Sequence, residues 1–183
     1  MTRKVEKVPD AGWVFPGELA GTRVALHPLR AGDRALFESL YGDPRVMAQV
    51  GAPLAAARRV RAFDSALADS ADAQGSRRLW RIQVVEGGDA GGLLGLSRGD
   101  HGMEVGALLL ASAQGRGLAT DAIAVLARAV FASPGVDRLW ARHRTDHPAA
   151  AALMRTLGFR PGPLPADGTG WTAWFLDRPA YPG

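Results

Sequence analysis

Apolar and polar residues alternate in several segments of the chain, which is the pattern of a half-buried β-strand. The clearest segment sets Trp80, Ile82 and Val84 against Arg81 and Gln83. The predicted strands are residues 22–29, 79–86, 93–97, 103–110, 138–144 and 171–176. The segment 103–110 becomes more apolar toward its end, which predicts burial on both faces of that strand.

Other segments repeat apolar residues every three and four positions, which predicts amphipathic helices. In one of them Ile123, Leu126, Ala127 and Val130 fall on a single face. The predicted helices cover residues 33–41, residues 55–67, the stretch from the turn at 114–120 to about 132, and the stretch from 148 to 157. The order is therefore strand, two helices, three strands, helix, strand, helix, strand.

The beginning of the chain lacks either pattern. Residues 1–17 are polar and include Pro9, Gly12, Pro16 and Gly17, so we expect a loose, flexible N-terminal arm. The chain has 183 residues, and residues 18–183 are long enough for one domain with a full core.

Residues 114–120 read Gln-Gly-Arg-Gly-Leu-Ala-Thr and lead from an apolar run directly into a helix. Two glycines let backbone N–H groups converge, and the helix start adds further N–H groups and a positive dipole end. This arrangement predicts an anion site, most often for phosphate. A dinucleotide fingerprint would follow the first strand with three glycines, whereas here Thr120 holds the third glycine position.

Composition narrows the classes of function. A net charge of +4 suits either nucleic acid or an anionic small molecule, but the arginines are scattered and no RNA-binding aromatic motif is present. The absence of cysteine excludes disulfides, thiolate metal sites and a cysteine nucleophile. The charged first residues and the lack of a long apolar run predict a soluble cytoplasmic protein with no membrane partner.

Three segments, in order, carry a family resemblance. They are residues 22–30 with Asp33 and 43–47; residues 104–106 through 114–122; and residues 147–150 with Leu157-Gly158-Phe159. In the second, Gln114, Gly117 and Ala119 fit the pattern Gln/Arg-x-x-Gly-x-Gly/Ala. Together the segments, over about residues 18–180, resemble the GNAT superfamily of N-acetyltransferases, of the ribosomal-protein-alanine (RimJ/RimL) type.

The resemblance implies an α/β (α+β) GNAT fold. In this fold a mixed, mostly antiparallel central sheet, flanked by helices, splays open between the strands predicted at 103–110 and 138–144. It also implies acetyl-CoA as cosubstrate, with the pyrophosphate on the amides of the Gly-rich turn and the pantetheine arm beside the apolar strand. The implied cofactor-binding residues are Leu109, Leu110, Gln114, Gly115, Arg116, Gly117, Leu118, Ala119, Thr120 and His147.

The resemblance further implies a catalytic role for Glu104, because related enzymes often place a glutamate beside the thioester channel. The alternative is a solvated or salt-bridged strand carboxylate. His147 stands where the family usually has an asparagine that bonds the pantetheine arm, and a histidine also suits proton transfer. The alternative interpretation is that His147 simply stands at the start of the helix, ahead of Pro148. Ala150 replaces the usual serine, and Met154 replaces the tyrosine general acid of many members.

His143 and His147 have the spacing of a metal pair, but a strand residue and a helix-start residue need not share a face, so no metal is expected. The resulting hypothesis is an acetyl-CoA-dependent N-acyltransferase. It acts by direct attack of a primary amine, on a protein N-terminus or a small molecule. The alternatives are a non-catalytic acyl-CoA-binding GNAT module and, from the charge, a nucleic-acid binder. A homodimer is compatible with the resemblance, since dimers are frequent in this family.

Overall fold

A computed structural model describes residues 13–72, 74–163 and 170–178. The described residues form helices and one sheet. The strands are β1 (Leu19–Ala20), β2 (Val24–Pro28), β3 (Arg77–Val84), β4 (Ala90–Gly99), β5 (Gly102–Leu109), β6 (Arg138–Arg144), β7 (Arg160–Gly162) and β8 (Trp171–Asp177). The helices are α1 (Arg34–Gly42), α2 (Pro44–Met47), α3 (Ala56–Ala71), α4 (Leu118–Ala132) and α5 (Pro148–Thr156).

The sheet has the strand order β1-β2-β3-β4-β5-β6-β8-β7. Neighbouring strands pair antiparallel throughout, except β5 and β6, which are parallel. A parallel pair needs a long crossover between its strands, and α4 supplies it. The predicted fold class, a mixed and mostly antiparallel sheet flanked by helices, is therefore confirmed.

Helices cover both faces of the sheet. On one face, α4 and α5 pack over a large core that includes Trp80, Leu96, Leu126 and Leu139. On the other face, α1 and α3 pack over a smaller cluster that includes Phe37, Phe63 and Leu93. Alternate residues of one strand reach opposite cores: Leu93 of β4 joins the small cluster, and its neighbour Leu94 joins the large one.

The predicted elements are present with shifted ends. The helix predicted at 55–67 runs from Ala56 to Ala71, and the strand predicted at 138–144 has those bounds. The short elements β1, α2 and β7 were not predicted. Pro44, which the sequence analysis treats as an interruption, begins α2, because proline is tolerated at the first helical position and Asp43 accepts a hydrogen bond from the Arg45 amide at 2.8 Å.

The prediction of a loose arm is wrong for residues 13–17, and residues 1–12 lie outside the described residues. Trp13 and Phe15 are buried in the large core, with exposed fractions of 4% and 3%. The Arg98 guanidinium donates to the Trp13 carbonyl at 2.8 Å, and the Trp80 indole N–H donates to the Gly17 carbonyl at 2.9 Å. Aromatic burial and long-range hydrogen bonds hold a segment whose local composition is typical of a loop.

None of the helices in the described part of the chain combines the length and the apolar character needed to cross a membrane.

Candidate functional site

The parallel strands β5 and β6 separate soon after they meet. Their paired positions are Met103 with Leu139 and Glu104 with Trp140, at the beginning of both strands. Beyond this point a cavity of about 1070 Å³ opens between the strands. It reaches from the Gly-rich turn before α4 to the side chains of α1 and α2. The splay that the resemblance implied is thus open as a cleft.

The end of β5 is less buried than its apolar sequence predicts. Leu108, Leu109 and Leu110 have intermediate exposure, and Gly106 is exposed. Leu108 and Leu109 line the cavity. The expectation of burial on both faces is therefore wrong, because this part of the strand borders an open cleft and not a packed neighbour.

The Gly-rich turn has the backbone that an anion cradle requires. Gly115 and Gly117 have φ angles of +71° and +74°, a region that glycine enters without steric cost. Gly117 is the N-cap of α4, so the amides of Leu118, Ala119 and Thr120 lie in the first turn and have no acceptor within the helix. The helix dipole adds positive potential at the same place. A pyrophosphate matches this donor set.

The turn is fastened to strand β2. The Arg23 guanidinium donates to the Arg116 carbonyl at 2.9 Å. The Asp121 carboxylate accepts hydrogen bonds from the backbone amides of Arg23 and Val24, at 2.6 and 3.0 Å. Asp121 therefore faces β2. Its carboxylate is hydrogen-bonded to backbone amides there, and it does not point toward an anion bound at the turn.

Backbone contacts at the end of β5 define which groups a ligand can use. The Leu110 amide donates to the Gly91 carbonyl at 3.0 Å, so it points toward β4. N–H groups of successive residues in a strand point to opposite sides, and the Leu109 amide thus points toward the cleft. The Leu109 carbonyl accepts from the Gln114 side chain at 3.2 Å. The Leu109 amide is consequently the better of the two groups for pairing with an added extended chain.

Glu104 lines the cavity and is salt-bridged. Its carboxylate accepts from the Arg142 guanidinium at 3.1 Å, and the glutamate side chain is 31% exposed. Arg142 packs over the rings of Trp140 and Trp171, 5.9 and 5.7 Å from their centroids. The aromatic rings hold the guanidinium beside the carboxylate. Glu104 thus borders the cleft and forms an ion pair, and its catalytic role stays a prediction.

His143 and His147 lie together in the cleft, contrary to the expectation that they need not share a face. Their ring centroids are 6.2 Å apart, at an angle of 78°. Partial burial lowers the pKa of His147; His143 lowers it further, and Asp146 opposes the shift. Within the described ranges no group of three or more metal-ligating side chains occurs.

Other side chains near the site divide between cleft and core. Ala150 and Met154 line the cavity. Trp171 also lines it, whereas Trp174 is buried, with 4% of its surface exposed. Arg59 is used within the fold, because its guanidinium donates to the Leu54 carbonyl at 2.6 Å.

The far end of the cavity contains side chains that the sequence analysis did not single out. They are Tyr41, Arg45, Gln49 and Arg77. Burial raises the pKa of the Tyr41 hydroxyl, and Arg77 partly offsets this shift. Arg77 comes from β3 and the others from α1 and the segment after it, so no local motif connects them. Residues 164–169, which precede Trp171, lie outside the described residues.

Comparison with known proteins assigns this arrangement to a family. The sequence profile of the acetyltransferase (GNAT) domain matches residues 23–160, and the chain belongs to the GNAT acetyltransferase family. No curated protein matches the chain in sequence.

Solved structures share the fold at low sequence identity. An acetyltransferase from Agrobacterium tumefaciens is 23% identical, with a TM-score of 0.75 over 88% of this chain and 94% of that one. The RimJ protein of Mycobacterium smegmatis, solved with CoA-disulfide, is 20% identical, with a TM-score of 0.74 over 92% and 91%. A Vibrio cholerae spermidine N-acetyltransferase, solved with CoA and spermine, is 15% identical, with a TM-score of 0.72 over 87% and 98%.

Proposed function

We propose that this protein transfers an acetyl group from acetyl-CoA to a primary amine, by direct attack in a ternary complex. One continuous cavity carries the proposal, because it joins the amide cradle before α4 to the splayed strands and to the side chains of α1 and α2. A donor anchored at the cradle and an amine entering beside α1 would meet in the splay. A neighbour with the same fold, the spermidine N-acetyltransferase from Vibrio cholerae, was solved in complex with CoA and spermine, which supports a donor and an amine as the two ligands.

In this proposal, acetyl-CoA is bound mainly by backbone groups. The amides of Gly115 to Thr120 would hold the pyrophosphate, and the extended arm would pair with β5 near Leu109 and Leu110. His147 would contact the arm from the start of α5. Because these donors are fixed before the ligand arrives, little conformational entropy is lost on binding.

The chemical half requires a neutral amine. Glu104 and His147 are the proposed proton acceptors, and both line the cavity. The amine nitrogen attacks the thioester carbonyl, the C–S bond then breaks, and CoA leaves as a thiolate. Met154 carries no proton to give, so solvent water protonates the thiolate. The chain has no cysteine, which excludes an acetyl-cysteine intermediate.

The direct test is CoA release from acetyl-CoA, followed with a thiol reagent, across a panel of amines. The chain contributes no thiol of its own, so the signal reports CoA alone. Gly117→Val should abolish turnover and weaken CoA binding, because valine is strained at a φ of +74°. Gly32→Ala is the matched control, since a Cβ at Gly32 meets nothing within 4 Å. Tight CoA binding without release for any amine would favour the non-catalytic acyl-CoA module.

The acceptor panel should separate the sources of the amine. Peptides with alanine or serine at the N-terminus represent the RimJ/RimL type that the sequence resembles. Free amino acids, aminoglycosides and polyamines represent small-molecule acceptors. The class with the highest kcat/KM identifies the acceptor.

A further inference from the structure

His143 is a buried polar side chain that the proposed chemistry does not use. Only 8% of its surface is exposed, although it lines the cleft. Its ring stacks on Trp174 with centroids 5.8 Å apart and an angle of 28°. Stacking on Trp174 and the edge contact with His147 therefore hold the His143 ring in one position.

One hydrogen bond determines which ring nitrogen of His143 carries a proton. Nδ1 lies 2.7 Å from the Arg144 carbonyl oxygen. A carbonyl oxygen only accepts hydrogen bonds, so Nδ1 is the donor. In the neutral ring Nε2 is then left with a lone pair. This nitrogen is buried and has no hydrogen-bond partner among the described residues. Buried polar atoms are nearly always paired. His143 lines the cleft, so a ligand donor that displaces the groups now covering Nε2 would pair it.

The position of His143 in β6 indicates which ligand supplies that donor. Leu139 and Ala141, which alternate with it along the strand, face the core beneath α4 and α5. Arg142 takes the other face, where it meets Glu104. His143 is thus on the side of the sheet that carries the amide cradle. The phosphates at the cradle would accept hydrogen bonds, whereas the pantetheine arm contains amide N–H groups that donate.

We propose that His143 is a donor-binding residue whose Nε2 accepts a hydrogen bond from an amide N–H of the pantetheine arm of CoA. The inference rests on the proposed function in that it takes CoA as the donor. It adds a side-chain contact to an arm otherwise held by backbone groups and by His147. The contact also explains why a histidine occupies a β6 position whose alternate neighbours are apolar.

The test compares the affinities of two ligands, one with the pantetheine arm and one without it. CoA contains it, whereas adenosine 3′,5′-bisphosphate carries the nucleotide alone. His143→Phe keeps a ring to stack on Trp174 but removes Nε2. We expect the Kd for CoA to rise by about 5- to 10-fold, as for one lost hydrogen bond, and the Kd for the nucleotide to stay unchanged. His143→Gln, which restores an acceptor, should recover part of the affinity.

A matched control and a spectroscopic measurement complete the design. His101→Phe removes a histidine that packs edge-on against Trp140, and it should leave both affinities unchanged. In the unaltered protein, the ¹⁵N resonance of His143 Nε2 should shift on adding CoA and stay in place on adding the nucleotide. This second measurement applies even if His143→Phe fails to fold.

Two outcomes would overturn the proposal: an unchanged affinity of His143→Phe for CoA, or an equal loss for both ligands, which indicates a structural role. If CoA binds and the arm-specific loss appears but no amine is acetylated, the catalytic proposal fails while this one stands. If the protein acetylates amines but His143→Phe shows no arm-specific loss of affinity, the catalytic proposal stands and the proposal for His143 fails.

Discussion

The carboxylate of Asp121, in the first turn of α4, accepts a hydrogen bond from the backbone amide of Arg23 at 2.6 Å. Arg23 returns a contact by donating from its guanidinium to the carbonyl of Arg116 at 2.9 Å. The Gly-rich turn is therefore held from both ends by Arg23, the residue before β2. The shape of the Gly-rich turn therefore depends on its hydrogen bonds with Arg23 as well as on its glycines.

Asp121→Ala should loosen the cradle. It leaves the backbone amides of Arg23 and Val24 without this acceptor, so we expect stability to fall by about 1–3 kcal/mol and CoA binding to weaken. Urea unfolding and CoA titration measure the two effects. Glu86→Ala, at an exposed position in the β3–β4 turn, is the control and should change neither. Unaltered CoA affinity in Asp121→Ala would show that the glycines alone shape the turn.

Gly92 permits a close approach of β4 to the end of β5. A Cβ at this position would lie 2.1 Å from the Leu108 carbonyl oxygen and 2.9 Å from the Leu109 Cα. Both are backbone atoms, so Gly92→Ala should destabilise the protein by about 2–3 kcal/mol. Thermal unfolding measures this against Gly106→Ala in the neighbouring strand, where a Cβ meets nothing within 4 Å. Equal melting temperatures would refute the close approach.

Glu104→Gln should separate proton transfer from binding. The amide keeps the shape and one hydrogen-bond acceptor for Arg142, but it is no base. We expect kcat to fall by about 100-fold with little change in CoA affinity. Glu38→Gln, which alters a surface pair with Arg34 on α1, serves as the control. An unchanged rate would leave Glu104 as a structural partner of Arg142.

The lowered pKa of His147 predicts a pH dependence. Its ordinary value is 6.5, and burial and His143 move it downward, so the ring is neutral at pH 7 and protonates only at more acidic pH. If His147 accepts a proton, kcat/KM should fall on the acid side with a midpoint below pH 6.5, its ordinary value. His147→Asn should remove the acid limb attributable to this ring. A pH profile with the same limb in both proteins would assign the titration to another group.

Charge at the far end of the cavity should disfavour polycationic acceptors. In the described part of the chain its lining includes Arg45, Arg77 and Arg142, which pair with Asp43, Asp69 and Glu104, so the carboxylates beside these arginines are already engaged. A polyamine would bring ammonium groups that find no free carboxylate there, and unpaired charge in a cleft is costly. We expect spermine to have a lower kcat/KM than a peptide with a neutral or acidic residue after its N-terminus. The opposite ranking would mean that the acceptor avoids these arginines.

Local patterns were enough for most of the fold. Alternation located the long strands, three- and four-residue spacing located α1, α3, α4 and α5, and the glycines at 115 and 117 located the cradle, because each signal is contained within a few neighbouring residues. The elements that escaped, β1, α2 and β7, have 2, 4 and 3 residues, too few to show a period. The burial of Trp13 escaped because it depends on partners far away in the chain. No property of residues 13–17 alone reveals that Arg98 and Trp80 hold them.

The Gly-rich turn could be recognised from sequence as a candidate anion site, because its donors are backbone amides of neighbouring residues in a turn and a helix start. Everything that brings distant residues together had to come from the tertiary structure. The parallel pairing of β5 with β6 sets Glu104 beside Arg142, and the packing of β6 against β8 and α5 buries His143 between Trp174 and His147. Neither contact has a local signal, since each depends on the register between strands that are separated by a helix or a loop.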